Sequence, residues 1–224
     1  MSNRAYFSVW CRDFGEPVML ERFEQFLGTV PLSETQPGFA NLVVRAIGPD
    51  QTPLLERDLR AAVLEAADVA RLAGEWLQPD CCAEVQAYWD LWTYDVEAGA
   101  WGLGPHRLEI LCQGEAYDDE AWRDTGHFWI HAGFEYLFTG HAGLLSSAAA
   151  AATAARHPAE AEFLDRMVRP GNLGDYRQKT QQNIRKLIGW AEQAHRAMPV
   201  DRWRLWSEGE ENLEARLESI LTGR

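Results

Sequence analysis

Three side chains in this sequence are spaced for joint chemistry: His127, His131 and Glu135, at intervals of four. Wound into a helix, residues four apart stack on one face, and two histidines so placed can hold one metal ion. Glu135 would stand nearby, and His141 could reach in from the following turn as a fourth ligand. The same residues also fit a period of two. In a strand they share a face, but positions four apart lie about 13 Å from one another and cannot share an ion. The residues between them decide. Phe128, Ile130, Ala132, Phe134 and Tyr136 alternate with His127, Trp129, His131 and Glu135, and Gly133 weakens a helix. A strand is therefore expected, with no metal and no cofactor.

Other constellations are weaker. Asp90 and Glu109 could act as a general acid and base if buried together, but nothing in the sequence fixes their separation. Cys112 with His127 or His131 could make a thiol–imidazole pair, yet alternation turns Cys112 toward the core and the histidines away from it. The acidic stretch of Glu115, Asp118, Asp119, Glu120 and Asp124 lacks the ligand spacing and mid-loop glycine of an EF-hand and reads as a solvated loop. There is no nucleophile elbow, no phosphate-binding loop and no dinucleotide fingerprint. The sequence thus leans away from an enzyme.

The elements that would position these residues follow from periodicity. Residues 5–11 are expected as a strand and Glu16-Pro17 as the start of a helix with Met19, Phe23, Phe26 and Leu27 on its apolar face and Gly28 as its stop. A buried strand is expected over 39–47, a short one over 53–59 and an alanine-rich helix over 60–77 with Val63 on its buried face. Residues 84–92 alternate, the glycine-bearing stretch 97–105 reads as a long hairpin turn, and 107–113 alternate again. With the strand around His131 these make a three-stranded antiparallel meander. Beyond Gly140 the pattern turns helical: 144–156, 158–168, a long helix ending at Met198-Pro199, and a last helix over 208–221 opened by a Ser207/Glu210 capping box.

The expected architecture is α+β: a mostly antiparallel sheet over 1–143, with a helical C-terminal layer, 144–224, packed on the same core as one domain. The strand–helix–strand start and the meander resemble ferredoxin-like folds in architecture. If the meander strands pair in order, Tyr88, Asp90, Trp92, Arg107, Glu109, His127, Trp129, His131 and Glu135 come to one polar–aromatic face. That face is either a binding platform or the surface on which the C-terminal helices rest, with Trp190, Trp203 and Trp206 against it.

Composition bounds the partners. The 224 residues carry a net charge of −13 and include ten tryptophans, enough aromatic area for a sizeable core. The negative field opposes nucleic acid and anionic membranes and favours a basic protein. Four cysteines, two of them adjacent, suit a reduced, cytoplasmic protein, and no apolar run reaches membrane-spanning length. The leading expectation is a non-enzymatic protein-binding protein, for instance a toxin-neutralising immunity protein. The alternative is a small-ligand-binding or metal-dependent enzyme using the same face, and a third reading is a homodimer that hides it.

Overall fold

The alternating runs become strands, and the strands join one sheet. In this computed structural model, which describes residues 3–95, 97–141, 144–145 and 158–223, the strands are β1 (Arg4–Cys11), β2 (Phe39–Ala46), β3 (Leu55–Asp58), β4 (Cys81–Asp95), β5 (Ala100–Gln113), β6 (Phe128–Phe134) and β7 (Val200–Ser207). They lie in the order β3-β2-β4-β5-β6-β1-β7, every neighbouring pair antiparallel. The expected meander β4-β5-β6 forms, and it holds the centre of the sheet. β1 and β2, though linked only by one helix and its loops, stand on opposite sides of it.

The helices are α1 (Glu16–Leu27), α2 (Ala66–Gly74), the one-turn α3 (Trp122–Thr125) and α4 (Tyr136–Thr139), α5 (Pro158–Met167), α6 (Pro170–Ala197) and α7 (Leu213–Thr222). Pro17 and Pro170 sit in first turns, where the missing N–H costs nothing. α1, α2, α6 and α7 all contribute to a single hydrophobic core on one side of the sheet. Phe26 of α1 stacks on Phe128 of β6 at 4.4 Å, and Trp190 of α6 meets Trp89 of β4 at 5.7 Å and Phe7 of β1 at 5.5 Å. The buried indole N–H of Trp190 donates to Thr29 Oγ1 at 3.0 Å, whereas that of Trp89 has no hydrogen-bond partner among the described residues. Among the described residues, no helix is long and apolar enough to cross a membrane.

Four local expectations change. The turn between β4 and β5 is short, closed by Gly99 with φ +64°, and Gly102 and Gly104 lie in β5 opposite Thr93 and Leu91. Glycine signalled a loop there, but cross-strand pairing overrides it. The alanine-rich helix starts only at Ala66: Asp58 accepts hydrogen bonds from the Arg60 backbone and guanidinium and turns the chain first, leaving Val63 64% exposed. Ser207 does bond the Glu210 amide, but Asn212 is the residue that caps α7, through the Ala215 amide. Finally, β7 adds a strand within the otherwise helical C-terminal segment, built on Trp203 and Leu205 alternating with Arg202 and Arg204. The helix expected over 144–156 falls, apart from 144–145, outside the described residues.

Candidate functional site

Strand alternation gives the sheet a second face, and none of the long helices rests on it. Two rows cross this face. Asn41, Gln86, Glu109, His131, Tyr6 and Trp206 are successive partners in one, and Val43, Glu84, Leu111, Trp129, Ser8 and Arg204 in the next. Tyr88 pairs with Arg107 just beyond. An antiparallel sheet can leave one face to water, and here that face is aromatic as well as polar.

The aromatic part is a stack. Tyr6 lies 4.3 Å from Trp206 and 5.7 Å from Trp129, both near-parallel, with the His131 ring edge-on at 5.0 Å. Trp206 Nε1 donates to Ser8 Oγ at 3.0 Å, which fixes the indole over the strand. The Tyr6 hydroxyl donates to Glu208 at 2.5 Å, and burial together with this bond pushes it up to about 12. Trp129 Nε1 and His131 Nε2 are buried without a hydrogen-bond partner among the described residues.

The ionic part centres on Glu109. His131 Nδ1 lies 2.9 Å from its carboxylate, Arg107 2.5 Å and Arg4 3.6 Å. The hydrogen bond from His131 is the main reason the Glu109 carboxyl stays below its usual range; partial burial opposes it, and the two arginines reinforce it. Gln86, its amide oxygen turned toward Arg107, accepts from the same guanidinium. The cluster is thus internally compensated, with Arg107 still exposed enough to meet a partner.

The nine residues expected on one face divide. Tyr88, Arg107, Glu109, Trp129 and His131 do come together there. Asp90 is buried and tied inward: its carboxylate accepts from Ser33 Oγ at 2.6 Å and the Glu34 amide at 2.9 Å. Burial alone would raise it, but these donors, with Lys186 nearby, hold it low. Trp92 is held by α6, its backbone bonded to Asn183 at both N–H and C=O and its ring under Lys179 Nζ at 3.2 Å. Glu135 sits past the end of β6 and accepts from the Gly209 amide at 3.1 Å.

His127 is a structural side chain. Its ring is sandwiched between Phe14 at 4.2 Å and Trp122 at 4.4 Å, and Nδ1 accepts from the Cys11 amide at 3.0 Å. Burial drives its pKa down to about 4, so the ring is neutral near pH 7. His141 stands apart, its backbone N–H donating to the Tyr176 hydroxyl at 2.7 Å. The pleated backbone therefore sends His127, His131, Glu135 and His141 to different surroundings. Among the described residues, no three His, Cys, Asp or Glu side chains are placed to share a metal ion. Cys112 is in the core, its thiol raised well above its ordinary value by burial, on the opposite side of the sheet from His131.

Sequence reasoning missed Arg4, Tyr6, Gln86 and Glu208, and set Trp206 against the face as cover where it is a member of it, opposite Tyr6 in β7. The signal existed for part of the set: Tyr6 and Ser8 alternate with Phe7 and Val9, and Arg204 and Trp206 with Leu205. What was lacking was the knowledge that β1 sits beside β6 and β7. No family model, curated protein or solved structure matches this chain.

Proposed function

We propose that this chain is a non-enzymatic protein-binding protein that presents its bare sheet face to a basic partner. One observation carries the reading: all the long helices gather on one side of the sheet, leaving half-buried Tyr88, Leu111, Trp129 and Trp206 on the other, flanked by ion pairs. Aromatic side chains ringed by charges are the composition of an interface, and tryptophan, tyrosine and arginine are the residues that dominate binding energy there. The rigid sheet presents them preformed, which lowers the ordering cost of association. The net charge of −13 selects a basic partner and speeds encounter with it. A toxin-neutralising immunity protein in the cytoplasm is one form such a protein takes, and a second copy of the chain is the competing occupant of the same face.

The test uses photo-crosslinking from positions 88 and 107, followed by binding measurements with the recovered protein at two salt concentrations. A basic partner should be captured, its affinity should fall with salt, and Trp129→Ala with Tyr88→Ala should weaken binding by about tenfold or more, in line with loss of central interface residues. A substitution on the helical side, Glu192→Ala, should leave binding unchanged. Capture only of the chain itself, with dimers in light scattering, would replace the reading with a homodimer. Equal binding by the double variant would overturn it.

A further inference from the structure

β4 and β5 are longer than any other strand, and their excess length builds a second site. β2 pairs with β4 only as far as Ala87, and β6 with β5 only as far as Glu109, yet β4 and β5 stay paired out to Asp95 and Ala100. Beyond the sheet they form a two-stranded ribbon, which is marginal alone and needs packing on one side. α4, α5 and the first half of α6 supply it, and the contact is imperfect: a cavity of about 550 Å³ remains, lined by Trp92, Tyr94, Trp101, Tyr136, Phe163 and Tyr176.

The rings form a continuous wall. Tyr94 is 5.3 Å from Trp101 and 5.7 Å from Phe163, and Tyr176 is 5.4 Å from Trp101 and 6.1 Å from Phe163. These four pack on one another at contact distance, so nothing can enter between them; they offer faces and edges to the cavity instead. One buried polar group also lines it. Thr180, only 3% exposed as a residue, is part of the lining. A hydroxyl beside the rings gives a ligand one point for a hydrogen bond, which fixes its orientation.

Charge narrows the ligand. Glu97, exposed at the rim, disfavours an anion. Lys179 already lies over the Trp92 ring, and Arg166 bonds the Tyr94 hydroxyl at 3.2 Å, so a cation would meet positive charge on the aromatic faces it needs. An uncharged molecule meets neither objection. The volume falls within the range of small-molecule sites, about 300–1,000 Å³. We infer that this cavity binds a planar, uncharged aromatic compound bearing a hydroxyl or carbonyl that bonds Thr180.

The probe is 2-naphthol, titrated into the full chain by calorimetry and by the chemical shifts of the Trp101 indole N–H and the Thr180 methyl. Saturable binding with shifts at both groups is expected, and 2-naphthoate and phenyltrimethylammonium should bind more weakly. Thr180→Val keeps the shape and removes the hydroxyl, and should weaken 2-naphthol by about fivefold, the worth of one hydrogen bond. Trp101→Ala should weaken it further. Trp129→Ala on the sheet face should leave it unchanged, which separates this site from the protein-binding face. Absence of saturable binding up to about 1 mM, tighter binding of either charged probe, or indifference to both Thr180→Val and Trp101→Ala would each overturn the inference.

Discussion

The two faces of the sheet come from the same strands and the same kinds of residue, and yet they are organised by different forces. The helical face carries Phe7, Trp89, Ile110 and Phe128, all at 0% exposure, closed by aromatic contacts with α1 and α6. The bare face also carries large rings, but Trp129 and Trp206 lie half-open around a buried Tyr6, in a lattice with Arg4, Arg107, Glu109 and His131. On one side burial of apolar area supplies stability; on the other, exposed ion pairs contribute little to stability and much to what a partner can recognise. Aromatic content by itself therefore does not mark core. The neighbours of a ring do.

The sharpest way to break this contrast is to remove a tryptophan from each side. Trp89→Ala should cost about 3–5 kcal/mol in urea unfolding, because Phe138 and Trp190 close on it and a large void would remain. Trp129→Ala should cost under about 2 kcal/mol while weakening capture of the partner. Equal losses would mean that both faces are core.

Acid should expose a second difference. His127 has a folded pKa of about 4 against 6.5 for the free side chain, so the folded state resists the proton. Its contribution to stability is complete above about pH 6.5, declines as pH falls toward 4 and is then spent, about 3 kcal/mol in all. Protonation would also place a donor on Nδ1 against the Cys11 amide. Circular dichroism melts across this window should show the decline, and His127→Phe should flatten it; an unchanged slope would show that another group carries the acid sensitivity.

Asp90→Ala should cost about 1–3 kcal/mol, since it removes the carboxylate that accepts from the Ser33 hydroxyl and the Glu34 amide, and should not touch partner binding. Because the Asp90 carboxyl is held low in the fold, its contribution is present above the ordinary aspartate range and fades as pH falls below it. The smallest stability effect belongs to Glu109→Gln, under about 1 kcal/mol by thermal unfolding. That variant should still change the salt dependence of partner binding, and a large loss of stability would show that the ionic lattice is structural.

Much of this was legible in the residues. The apolar stripe of α1, the alternation of β4, β5 and β6, and the proline start of α1 are local patterns that survive unchanged in the fold. So was half of the candidate face, because the meander strands are neighbours in sequence. Tyr6, Trp206 and Arg4 were not, since the pairing of β1 with β6 and β7 spans more than a hundred residues. The Gly102 and Gly104 stretch misled because glycine reports backbone freedom and not the partner strand that uses it.

The sequence by itself determined which residues alternate, which helix stripes are apolar, that the chain is strongly acidic, and that residues 128–134 are pleated, which separates the paired histidines. Only the tertiary structure decided which side of the sheet the helices cover, that Asp90 and His127 turn inward to serve a loop and a ring stack, and that the overlong β4–β5 ribbon closes an aromatic cavity with α5 and α6. The division has one cause. Periodicity is written within a dozen residues, whereas the choice of face and the fate of a polar side chain depend on which distant groups arrive to desolvate it.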